Sequence, residues 1–224
     1  MVPLNPTHPT PSDTGLLDAL RADDPSTRLQ AVLAVGTNPN PALIDALVAR
    51  CAVESDFFVR DMLTWALTRL PADLTVPRLR VELGSGRAQA RSQALHTLSK
   101  IGDRGVWPAI TRSLLHDADD EVARSAWRTA VLLVPDGERT ALAADLAAQL
   151  GRGDRTVQLS LSRALVALGD VVTDALRAAR TSDDPTVGAH ARATEQLLRD
   201  PEADFDAAVA EARRIVALGP GAVC

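Results

Sequence analysis

Apolar and polar positions along this chain keep the beat of amphipathic helices, broken at short intervals by aspartate, glycine and proline. The stretch Asp56–Leu70, DFFVRDMLTWALTRL, shows the frame best: Asp, two residues, an apolar or small residue, Arg, two residues, then a small or aliphatic residue. The same frame fits six times, with its arginine position filled by Arg28, Arg60, Arg91, Ala123, Gln158 and Gly188 at spacings of 32, 31, 32, 35 and 30. The pattern predicts helices in pairs: Gly15–Ala22 with Pro25–Val35, Pro41–Val53 with Phe57–Leu70, and Val76–Leu83 with Ala88–Ile101. Further pairs follow at Val106–Leu115 with Glu121–Val134, Arg139–Leu150 with Thr156–Leu168, and Val171–Ala179 with Pro185–Leu198. Gly36 and the TNPNP run are read as the stop of the second helix.

Four residues before the arginine position stand Asp24, Asp56, Arg87, Asp119, Asp154 and Asp184. Aspartate there predicts an N-cap, because its carboxylate accepts the unpaired N–H groups of the first turn. Pro25 and Pro185 follow at the first helical position, where a missing N–H costs nothing. Small residues recur three and six positions beyond the arginine, as at Ala31, Ala94, Ala66 and Ala164, and let neighbouring helices approach closely. A period of this length signals a stacked array, in which each unit buries its apolar face against the next.

The D-x-x-V-R-x-x-A frame, with endings such as KIGD (Lys100–Asp103) and ALGD (Ala167–Asp170), resembles HEAT-like repeats, and its period resembles the short variety of phycobilisome-lyase-type HEAT proteins. The resemblance covers roughly Gly15 to Asp200. It implies an all-α fold, an α-α superhelix of about six helix pairs closed by a C-terminal capping helix. It also implies an Asp–Arg ladder between adjacent repeats, confined to the first three because the later ones lack the arginine. The organisation expected is a Pro-rich disordered leader over 1–12, six repeats over 13–200, and a capping helix with a short tail over 201–224. The last helix, Asp204–Leu218, carries Phe205, Ala208, Val209, Ala212, Ile215 and Val216 on one stripe, as the end of an array requires.

With 46% hydrophobic residues, 3% aromatic and no tyrosine, the core must be built from Leu, Ala and Val, which suits packed helices rather than a β-sandwich. A formal charge of −5 gives no general attraction to nucleic acid or anionic lipid. Cys51 and Cys224 form no disulfide framework, and a reduced cytoplasmic setting follows. The run His116-Asp117-x-Asp119-Asp120-Glu121 lacks the glycine and ligand spacing of a calcium loop, and Asp119 has a place as N-cap. No phosphate loop, nucleophile elbow or zinc-protease pair occurs, so no metal, cofactor or catalytic residue is expected.

The residues one, five and nine beyond the arginine position share a helix face and line up across successive repeats. In the middle of the array they form a band of Asp61, Trp65, Arg69, His96, Lys100, Arg124, Arg128 and Arg163. HEAT-type second helices line a concave surface, so the resemblance places this band in a groove. A cationic groove with a tryptophan implies a non-enzymatic interaction module for an acidic protein or peptide. Stretches such as ARSQALHTLSKIGD also look like the HEAT segments of MerR-type regulators, which implies a regulatory role. The competing reading is a DNA-binding enzyme of the alkylpurine glycosylase type, another HEAT-like family, with Asp61 and Trp65 in its cleft.

Overall fold

Helix starts along this chain are fixed by aspartate. Asp24, Asp56, Asp119, Asp154 and Asp184 each accept backbone N–H groups two or three residues on, at 2.8–3.3 Å. In the computed structural model, which describes residues 11–200 and 205–218, the described residues form thirteen α-helices and no strand. The fold is all-α. No helix among the described residues is long and apolar enough to cross a membrane.

The chain divides into two compact units, Met1–Ala109 and Ile110–Cys224. The first holds α1 (Pro11–Ala19), α2 (Pro25–Thr37), α3 (Ile44–Cys51), α4 (Phe57–Thr68), α5 (Ala72–Glu82) and α6 (Ala88–Ile101). The second holds α7 (Arg112–Leu115), α8 (Asp120–Leu133), α9 (Arg139–Ala147), α10 (Arg155–Ala167), α11 (Thr173–Ala179), α12 (Pro185–Arg199) and α13 (Phe205–Leu218). Within each unit the odd-numbered helices up to α11 pack on the even-numbered ones that follow them. The even helices also stack on one another, α2 on α4 on α6 in the first unit and α8 on α10 on α12 in the second. Between these layers lies an apolar core of Leu, Val and Ala, including Leu47, Leu63, Leu67 and Leu95 in the first unit and Ala126, Leu146, Leu161 and Leu165 in the second. The small register positions Ala66, Thr97, Thr129, Ala164 and Thr194 are all buried.

Several expectations change. Helix α1 begins at Pro11, so the last two residues of the expected leader are helical; the rest of that leader, 1–10, lies outside the described residues. Gly36 does not end α2: the helix continues to Thr37 with Gly36 buried inside it. In the fourth repeat the first helix is broken into a 3-10 segment, Arg104–Ala109, and the four-residue α7, because Pro108 supplies no N–H to a regular α-helix.

At its first rung the expected Asp–Arg ladder takes another acid. Arg28 pairs with Glu54, at 2.7 Å through both Nε and Nη2, while Asp24 and Asp56 are occupied as caps. What the arginine position does instead is close the end of the preceding helix. Arg28 Nη1 donates to the carbonyls of Ala22 and Asp23, Arg60 Nη1 to those of Glu54 and Ser55, and Arg91 Nη1 to that of Ser85, at 2.7–3.0 Å. Gln158 keeps the role with a bond to the Gly153 carbonyl at 3.2 Å. Ala123 cannot, and Arg152, from the loop before α10, donates to the matching carbonyl of Asp117 at 2.5 Å.

Candidate functional site

The predicted band divides between the two units. Asp61, Trp65 and Arg69 lie on α4 and its end, His96 and Lys100 on α6, Arg124 and Arg128 on α8, and Arg163 on α10. Every one of the eight is exposed or half-buried, as the register predicts for the solvent-facing side of the second helices.

In the first unit the structure brings Trp65 and Arg69 together. The Trp65 ring lies against Gly36 of α2, where an added Cβ would fall 2.1 Å from the ring. Arg69 places its guanidinium 5.7 Å from the ring centroid and donates from Nε to the Gly36 carbonyl at 2.9 Å. Trp65 is thus part of the packing between α2 and α4, and it remains partly open to solvent. His96 is half-buried, while Asp61 and Lys100 project freely from the same face.

In the second unit Arg124 pairs with Glu121 one turn earlier on α8. Arg128, the next turn on, donates to the Ser125 hydroxyl at 3.1 Å. Partial burial and the neighbouring charge of Arg124 lower the pKa of Arg128, and the charge of Glu121 offsets part of this. Arg163 is exposed beside a cleft of about 400 Å³ whose walls include Leu159, Val166, Leu197 and Phe205.

Some cations of the chain are ion-paired and others are not. Arg28, Arg50, Arg78, Arg112, Arg152 and Arg180 all meet a carboxylate within 3.2 Å. Among the described residues the band cations Arg69, Lys100, Arg128 and Arg163 form no ion pair, and neither do Arg60, Arg80 and Arg139.

The other candidates have structural employment. Asp119 caps α8, Asp120 binds Arg152 at 2.8 Å, and His116 accepts from Gln149 at 2.6 Å. Cys51 is buried, which pushes its thiol up to about 12. Glu54 is fully enclosed. Burial alone would raise its carboxyl, but Arg28, the Asp56 N–H and Arg50 outweigh that and hold it at about 2. His190 is also enclosed: its Nδ1 accepts from the Gly151 N–H at 3.0 Å, so the ring proton sits on Nε2 and reaches the Gln158 carbonyl at 3.0 Å. Ser162 lies 2.9 Å from the same Nε2 and passes the network on to Thr194 at 2.7 Å. Burial lowers the His190 pKa to about 4.

The expected capping helix is α13, and what the sequence reading missed is that it covers band positions of the last repeat. Phe205 and Ala208 pack on Ala193 and Leu197, which occupy band positions in the last repeat, and Asp206 pairs with Arg155 at the start of α10. The signal was present: only in that repeat are all three band positions, Ala189, Ala193 and Leu197, apolar.

No protein-family model matches the chain. No curated protein matches it. Among solved structures it is similar to an engineered protein of the Northeast Structural Genomics Consortium, with 19% identity, 84% of this chain and 97% of that chain covered, and a TM-score of 0.47.

Proposed function

We propose that this protein is a HEAT-like repeat module, cytoplasmic and non-enzymatic, that binds an acidic protein or peptide through the solvent-facing sides of its second helices and so serves as a scaffold or regulatory element. The observation that carries this reading is the set of uncompensated cations. Arg69 and Lys100 in the first unit and Arg128 and Arg163 in the second occupy band positions without an ion pair among the described residues, in a chain whose net charge is −5. An acid-rich chain has counter-ions to spare, so band cations left open in each unit are available to a partner. Arginine adds a planar fork suited to carboxylates.

Binding of a short acidic helical peptide, built of glutamate and alanine, tests the reading. Affinity should fall steeply with added salt, because exposed charges are screened over ~8 Å at physiological ionic strength. The double variant Arg128→Glu/Arg163→Glu should cost ~2 kcal/mol or more. Unchanged affinity in that variant, or binding that ignores salt, would move the site elsewhere. Salt-sensitive binding of an abasic or alkylated DNA duplex instead of the peptide would favour the DNA-binding alternative.

A further inference from the structure

Within the second unit, α13 already shows what this face accepts. The band positions of the last repeat, Ala189, Ala193 and Leu197, are buried, and helix α13 covers this face with the buried side chains Phe205, Ala208 and Ala212. Phe205 stands edge-on to His190, with ring centroids 6.1 Å apart. Its neighbour in sequence, Asp206, reaches back to Arg155. The seat therefore takes an amphipathic helix that presents a large apolar side chain next to a carboxylate.

One repeat earlier the same positions are Leu159, Arg163 and Ala167, and there the seat is open. The cleft of about 400 Å³ runs between Leu159, Val166 and Ala167 of α10 and the Leu197–Phe205 wall. Leu159 and Val166 are half-buried and pack against the cluster that Phe205 completes, so the floor is apolar. Arg163 stands at the rim with no carboxylate among the described residues, where Arg155 has Asp206. The volume lies in the range of a site that encloses a side chain rather than a flat contact.

We propose that this cleft is the anchoring pocket of the interaction surface: it takes one large apolar side chain of an acidic amphipathic helix, whose adjacent carboxylate pairs with Arg163. The proposal rests on the module reading above and names the feature of the partner that the band selects. The occupant's chemistry is fixed by complementarity. An apolar floor excludes a purely ionic ligand from the cleft, and the open guanidinium favours a carboxylate beside the inserted group.

Two peptide probes separate the pocket from the band. One is the glutamate–alanine helix used above; the other is identical except for a single central phenylalanine next to a glutamate. The phenylalanine peptide should bind the full chain about tenfold more tightly, the effect of burying one aromatic side chain in part. Ala167→Trp, a substitution at an exposed position that fills the cleft, should abolish the difference between the two peptides. Arg163→Ala should weaken the phenylalanine peptide by about tenfold. Equal affinity of the two peptides would overturn the pocket and leave the cationic module standing. A gain that survives Ala167→Trp would place the anchor elsewhere and overturn it too. If neither peptide binds, the module reading and the pocket fall together. Self-association of the unmodified chain that Ala167→Trp abolishes would seat a second copy in the cleft, and would likewise overturn the proposal.

Discussion

Gly36 is the floor on which the Trp65 ring rests: a Cβ at that position would lie 2.1 Å from Cζ3 of the indole and 2.6 Å from Cε3. The contact joins α2 to α4 and is sealed by Arg69, which binds the Gly36 carbonyl. It decides the sign of a substitution. In a helix interior, alanine is better than glycine by about 1 kcal/mol. Here the clash must win, because a rigid ring cannot yield as a flexible side chain would.

Gly36→Ala should therefore destabilise the first unit, by about 1–3 kcal/mol. In a Trp65→Ala background the same change should stabilise by up to about 1 kcal/mol, since only helix propensity remains. Calorimetric melting of the four proteins of this cycle reads both signs. A stabilising Gly36→Ala in the unmodified chain would mean that the ring does not sit there.

Glu54 holds the ends of two repeats. Its Oε1 accepts from Arg28 and the Asp56 N–H, and its Oε2 from Arg28 and Arg50, with all four bonds at 2.7–2.9 Å. Glu54→Gln keeps the shape and removes the charge, leaving the buried Arg28 guanidinium without its counter-ion. The expected cost is about 3–5 kcal/mol by urea denaturation. A change of a few tenths would show that water replaces the carboxylate.

Arg152 does for the fourth repeat what Arg28, Arg60 and Arg91 do for theirs. It also reaches the Gln149 amide oxygen and Asp120, and lies 5.8 Å from the Trp127 ring centroid. Arg152→Ala should destabilise the second unit by about 1–3 kcal/mol, and Arg152→Lys should recover little, because one ammonium cannot follow a planar fork. Amide exchange at the α7–α8 junction should quicken in both.

Acid should loosen the second unit before the first. His190 has a folded pKa near 4 against an ordinary value of 6.5, so the unfolded chain binds its proton more readily. Stability from this group is complete above pH 6.5 and is lost as pH falls toward 4, a loss on the order of 3 kcal/mol. Glu54, held at about 2 against an ordinary 4.5, adds a second loss in the first unit below pH 4.5. Melting between about pH 7 and pH 5 should show the decline, and His190→Gln should flatten it. A flat profile in the unmodified chain would mean that the imidazole is hydrated.

The caps were legible in the sequence because their physics is local: a carboxylate reaches N–H groups two or three residues away, and the repeat displays the same aspartate again and again. The arginine position was legible as a feature but not in its task. Its strongest partner, Glu54, lies two residues before the repeating Asp56 and does not itself repeat, so alignment of the frame passes over it. Gly36 after an apolar run reads as a stop by any local rule. Only the bulk of Trp65, far along the chain, turns it into a seat. First helices were harder than second ones, since Pro77 sits inside α5 and Pro108 inside the 3-10 segment before α7. At the candidate site the exposed face was readable from register, whereas the cleft depends on where α13 lies, which its apolar stripe alone does not state.

The depth of Trp127 has an optical consequence. The chain has three tryptophans and no tyrosine, so all of its strong ultraviolet emission comes from Trp65, Trp107 and Trp127. Trp127 is fully enclosed and donates to the Leu115 carbonyl at 2.8 Å, whereas Trp65 and Trp107 are partly open to water. Blue-edge emission that iodide cannot quench thus belongs to the second unit, and quenchable emission to the first. Each half of the molecule carries its own lamp, and the order in which the two halves come apart is written in the colour of the light.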